Sequence, residues 1–75
     1  MKVTVITGEW ARRYIPRERS EENIPEGLTA GGLLERLPIP TDDIGIIAVN
    51  GRAVRREDIL CDGDIVKLFP KIIGG

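Results

Sequence analysis

Ile44-Gly45-Ile46-Ile47-Ala48-Val49-Asn50-Gly51-Arg52-Ala53-Val54 carries the strongest structural signal in the chain. Ile44, Ile46, Ile47 and Val49 form a run apolar on both faces, the pattern of an interior strand. Asn50-Gly51 then supplies the positive φ values of a tight hairpin turn into Ala53-Val54. Further on, a charged connection over Arg55–Asp58 leads to a second turn at Asp62-Gly63-Asp64 and a last strand over Ile65–Phe69, closed by Pro70. What remains is Lys71-Ile72-Ile73-Gly74-Gly75, a tail that can span at most roughly 17 Å when extended.

Towards the N-terminus, Thr29 stands where a helix N-cap is wanted, ahead of Ala30, Leu33, Leu34 and Leu37 at helical spacing. Gly31 and Gly32 each weaken that helix by about 1 kcal/mol relative to alanine, so its stability must come from docking the leucine face onto a sheet. Pro38 and Pro40 stop it. Lys2–Ile6 alternates, with Val3 and Val5 on one side, and reads as a half-buried first strand. Gly8–Arg19 is an irregular connection with a helical turn around Trp10–Tyr14, Trp10 covering a core edge, and a short second strand over Ser20–Ile24 is expected to pair back onto the first. The order is strand, strand, helix, strand pair, strand: an α+β chain with one main helix across a mixed sheet of four to five strands, which is the β-grasp arrangement. One domain over residues 1–70 is expected, followed by a flexible C-terminal diglycine tail over residues 71–75.

Composition narrows the chemistry. The 75 residues allow one domain, which at this size buries only about 60% of the surface its unfolded chain exposes. Eleven basic against twelve acidic residues give a net charge of -1, without the positive field that drives nucleic-acid binding, so no direct nucleic-acid partner is expected. With one cysteine, Cys61, and no histidine, disulfides, cysteine or histidine metal sites and histidine acid–base catalysis are closed to a single chain. A ferredoxin cluster would need four cysteine ligands. Asp62 and Asp64 beside Cys61 disfavour the thiolate that a thiol relay would use, so ordinary packing is expected of it. The arginines are interleaved with acidic residues and read as a mixed solvated surface. Met1–Ile6 fits neither a signal peptide nor a membrane span, and a cytoplasmic location is expected.

Val49-Asn50-Gly51, Asp62-Gly63-Asp64-Ile65-Val66, Phe69-Pro70 and the terminal Gly74-Gly75, taken with their spacing, resemble the sulfur-carrier branch of the ubiquitin-like proteins. That branch holds the molybdopterin synthase small subunit, the thiamin thiazole sulfur carrier and carriers for tRNA thiolation. The chain departs from the molybdopterin type over Gly8–Arg19, where an aromatic residue and an Arg-Glu pair are usual. The resemblance implies a protein co-substrate rather than an enzyme. Gly75 would be joined to AMP by an adenylyltransferase resembling the ubiquitin-activating enzyme, with ATP and Mg supplied there and no cofactor bound by this chain. A sulfur donor would then leave a thiocarboxylate for a synthase subunit or a tRNA thiolase. Gly74 would provide clearance in a narrow channel, because glycine lacks a Cβ. At an average glycine usage of about 7% a chance pair arises at roughly 0.5%, somewhat more often in a chain with nine glycines. Two other fates keep the fold: a ubiquitin-like modifier conjugated through Gly75, and a non-catalytic interaction module, which has no reason to end in diglycine.

The period of two assigns Val66 and Leu68 to the helix side and Ile65, Lys67 and Phe69 to the outer face. Ile65, Phe69, Pro70, Ile72 and Ile73 are therefore the candidate partner contacts, an apolar patch beside a reactive tail. The competing expectation is that Phe69 folds against the tail or Trp10.

Overall fold

The computed structural model describes residues 1–72. The candidate site residues Ile73, Gly74 and Gly75 lie outside the described residues. Strands β1 (Lys2–Ile6), β2 (Arg19–Asn23), β3 (Ile44–Val49), β4 (Arg52–Val54) and β5 (Ile65–Pro70) form one sheet in the order β2-β1-β5-β3-β4. The first and last strands lie side by side and parallel at its centre, Thr4 opposite Ile65 and Ile6 opposite Lys67, while the other pairings are antiparallel. Helix α1 (Ala30–Glu35) belongs to the connection between β2 and β3. This is the β-grasp fold expected from the order of elements.

Each element has a local cause. Val3 and Val5 are each 1% exposed, so β1 turns its valines into the core as its alternation requires. β2 begins one residue earlier than expected, because the ladder reaches Ile6 opposite Arg19, and Ile24 follows the strand as a buried residue tied to Met1. Thr29 caps α1, its Oγ1 accepting from the Gly32 N–H at 3.0 Å. The six-residue helix is too short to stand alone and holds because Ala30, Leu33 and Leu34 are fully buried. Leu37 is buried two residues past the helix end, where the Arg36 N–H closes onto the carbonyls of Leu33 and Leu34.

The β3–β4 turn takes the expected positive φ at Asn50 (52°) and Gly51 (83°). Asn50 does more than turn the chain. Its backbone N–H donates to Ile65 O at 2.8 Å, its Oδ1 accepts from the Ile65 N–H at 2.9 Å, and its Nδ2 donates to Asp64 Oδ1 at 2.9 Å. The hairpin is thereby stitched to the start of β5. On β5, Val66 and Leu68 enter the core at 0% and 2% exposure, each burial contributing about 1.5–3 kcal/mol. β3 departs from expectation in one respect. It is interior within the sheet, between β5 and β4, but only one of its faces is covered, and Ile46 stands 49% exposed on the other.

The helical turn expected around Trp10–Tyr14 is instead a 3-10 piece over Glu9–Ala11, held by fully buried Ala11, and Trp10 packs half-buried against the core cluster. No helix among the described residues is long and apolar enough to cross a membrane.

Candidate functional site

Two features converge at the end of β5. One is the outer sheet face. Ile65 is 40% exposed and Phe69 44%, on the same face as Lys67 and opposite the buried Val66 and Leu68. The two apolar residues do not touch along the strand, since four residues of strand separate them by about 13 Å. Phe69's nearest apolar neighbour on this face comes from β3: Ile46 is its direct cross-strand partner. The sequence reading placed Ile46 in a strand but not in the patch; the signal was its alternation with Ile47, whose side chain is buried. Lys67 lies between Ile6 of β1 and Ala48 of β3, so a cation sits in the middle of the face.

The second feature is the point where the chain leaves the sheet. Pro70 still pairs with Ile44 across an irregularity at Gly45, and Lys71 donates its backbone N–H to Asp43 O at 2.9 Å. Among the described residues the last backbone hydrogen bond along the chain thus falls on Lys71. A Cβ on Gly45 would lie 2.9 Å from both Lys71 Cα and Pro70 O, so only a glycine lets β3 pass this closely under the departing chain. Ile72, next along, is 81% exposed.

Gly8, Trp10, Arg13 and Tyr14 wall this exit. Trp10 and Pro70 line two clefts in common. One, of about 180 Å³, is bounded also by Ile6, Gly8, Lys67 and Phe69. The other, of about 250 Å³, is bounded by Arg13, Tyr14, Asp43 and Lys71. Both fall below the roughly 300–1,000 Å³ of small-molecule sites. Phe69 therefore points outward and also lines a cleft with Trp10.

Cys61 corrects the sequence reading. Ordinary packing was expected, but the residue is exposed, because it belongs to the turn that feeds β5 and its backbone N–H is taken by Asp64 Oδ2 at 2.7 Å. Asp62 is engaged likewise, accepting from the Lys2 N–H at 2.7 Å. These carboxylates hold the turn together. Among the described residues no group of three His, Cys, Asp or Glu is placed to hold a metal ion. Arg56 is spent internally as well, its Nη2 donating to Ile44 O at 3.2 Å and Thr41 O at 3.3 Å.

The ThiS family model matches residues 9–75. Among solved structures, a Pyrococcus furiosus protein described as molybdopterin converting factor, subunit 1, superposes with a TM-score of 0.81 at 29% identity, covering 96% of this chain and 99% of its own. SAMP1 from Haloferax volcanii gives a TM-score of 0.78 at 18% identity with 100% of both chains covered. Urm1 from Trypanosoma brucei gives 0.69 at 16%, covering 99% of this chain and 95% of its own. At the two lower identities the likeness shows the shared fold alone. No curated protein sequence matches the chain.

Proposed function

Since the chain belongs to the ThiS family and has the fold of ubiquitin-like sulfur carriers and modifiers, we propose that it is a sulfur carrier activated at the carboxylate of Gly75. The observation that carries the reading is that the family match extends through the glycine pair, whose first residue comes four positions after Pro70 ends the central strand β5.

The chemistry divides between chain and partner. In a first step the Gly75 carboxylate attacks the α-phosphorus of ATP in an adenylyltransferase of the ubiquitin-activating type; a P–O bond forms, pyrophosphate leaves, and Mg held by that enzyme offsets the phosphate charge. In the second, sulfide or an enzyme persulfide attacks the acyl carbon and AMP departs. With a persulfide, a reductant of thiol class cleaves the remaining S–S bond and frees the thiocarboxylate. The sulfur then passes to an acceptor, a cofactor-building synthase subunit or a tRNA thiolase. This chain contributes no acid or base to these steps. It supplies an acyl group, a glycine pair that narrow walls can enclose, and an outer face, Ile46, Ile65, Phe69 and Pro70, followed by Ile72 and Ile73, for the partner to hold.

Incubation with the cognate activating enzyme, ATP, Mg and a sulfur donor tests this by intact-protein mass spectrometry. One oxygen replaced by sulfur is the expected product. Persistent absence of that product rejects the reading, and a covalent adduct to a lysine in its place would assign the chain to the modifiers.

A further inference from the structure

Asp43 sits where three parts of the fold meet. Its carboxylate Oδ2 accepts a part-buried hydrogen bond from the Tyr14 hydroxyl at 3.0 Å, 29 residues away in sequence. Its carbonyl accepts the Lys71 N–H, the last backbone hydrogen bond along the chain among the described residues. Its own N–H donates to Pro40 O at 3.0 Å, and Arg56 holds the carbonyls of Thr41 and Ile44 on either side of it. Tyr14 is fixed in turn. Its backbone N–H bonds to the carbonyl of fully buried Ala11 at 2.9 Å, and the Arg13 guanidinium lies 5.1 Å from the centre of its ring. Gly45, two residues after Asp43, leaves no gap beneath Pro70 and Lys71. A continuous path of hydrogen bonds therefore runs from the core through Ala11, Tyr14 and Asp43 to the root of the tail.

A hairpin or a helix cap would need none of this. The Tyr14–Asp43 bond joins the segment after Ala11 to the 3-10 turn Thr41–Asp43, and its effect falls on the residue whose carbonyl holds Lys71. From Lys71 to Gly75 four residues remain, at most about 14 Å of reach. Over so short a span, the direction at the root governs where the end can arrive, and a misplacement of about 1 Å at a reacting group can cost a hundredfold in rate. We propose that Tyr14, Asp43 and Gly45 are positioning residues that form a bracket aiming the tail, so that a docked partner receives Gly75 in one direction. The inference rests on Gly75 being the reacting group.

The test pairs a structural with a kinetic readout on the full-length chain. In Tyr14→Phe, amide exchange at Lys71 should speed up about tenfold, the scale of one lost hydrogen bond to a carboxylate, while exchange at Val66 in the core stays unchanged. With the activating enzyme and sulfur donor, kcat for sulfur loading should fall about tenfold and KM stay within twofold, because the outer face is untouched. Asp43→Asn keeps an oxygen acceptor for Tyr14 and should leave exchange at Lys71 at the wild-type rate. Gly45→Ala displaces the root directly and should lower kcat at least as far while retaining a cooperative melt. Unchanged Lys71 exchange in Tyr14→Phe overturns the bracket. Faster exchange with unchanged kcat overturns its aiming role. If the wild-type chain takes up no sulfur, the assignment of Gly75 falls and the aiming role with it, whatever the exchange shows.

Discussion

Replacing Phe69 with alanine separates a docking residue from a core residue. A fully buried Phe→Ala change costs about 3–5 kcal/mol. Phe69 is 44% exposed, so roughly half of that burial is at stake, and its direct cross-strand partner, Ile46, is itself 49% exposed. We expect about 1–2 kcal/mol of lost stability, read as a lower midpoint in a urea melt with unchanged slope. As a central aromatic anchor it should contribute about 2 kcal/mol to partner affinity, or roughly thirtyfold in Kd, measured by titration calorimetry with the activating enzyme. Leu68→Ala is the internal control: at 2% exposure it should cost about 2–5 kcal/mol of stability and leave the affinity of the folded fraction unchanged. Ile46→Ala should weaken binding less than Phe69→Ala, and the double variant should lose less than the sum, since the two side chains are direct cross-strand neighbours. A Phe69→Ala protein that binds within twofold of wild type would refute the outer face as the docking surface.

Deleting Gly75, or extending the chain past it, should abolish sulfur loading and leave the melt unchanged; a lost cooperative melt would make the end structural. Thr29→Ala removes the cap of α1 and should lower stability by about 1 kcal/mol in the same urea assay, without altering loading. Cys61→Ser should change stability by less than about 0.5 kcal/mol and loading not at all, and alkylation of Cys61 in the native protein should proceed without unfolding; slow alkylation would contradict its exposure.

Local sequence alone determined the elements. Alternation in Lys2–Ile6 and Ile65–Phe69, the Asn50-Gly51 turn, the Thr29 cap and the proline stops act over a few residues, and period-two geometry assigned Val66 and Leu68 to the core before any sheet was built. The family likeness rested on the same residues, because spacing between turns survives where side chains vary. What required the tertiary structure was every relation between segments far apart in the chain. Ile46 joined Phe69 only through the β3–β5 register, and the apolar run containing it gave no sign that a single helix would leave one sheet face uncovered. Cys61 was expected to pack because its acidic neighbours speak against a thiol relay, yet its turn presents it outward while Asp64 and Asp62 bind backbone N–H groups. Tyr14, Asp43 and Lys71 are separated by 29 and 28 residues, and nothing in their neighbours' sequence marks them as partners. Local preferences act through the backbone of adjacent residues and can be read along the chain; hydrogen bonds that close long loops exist only once hydrophobic burial has brought the segments together.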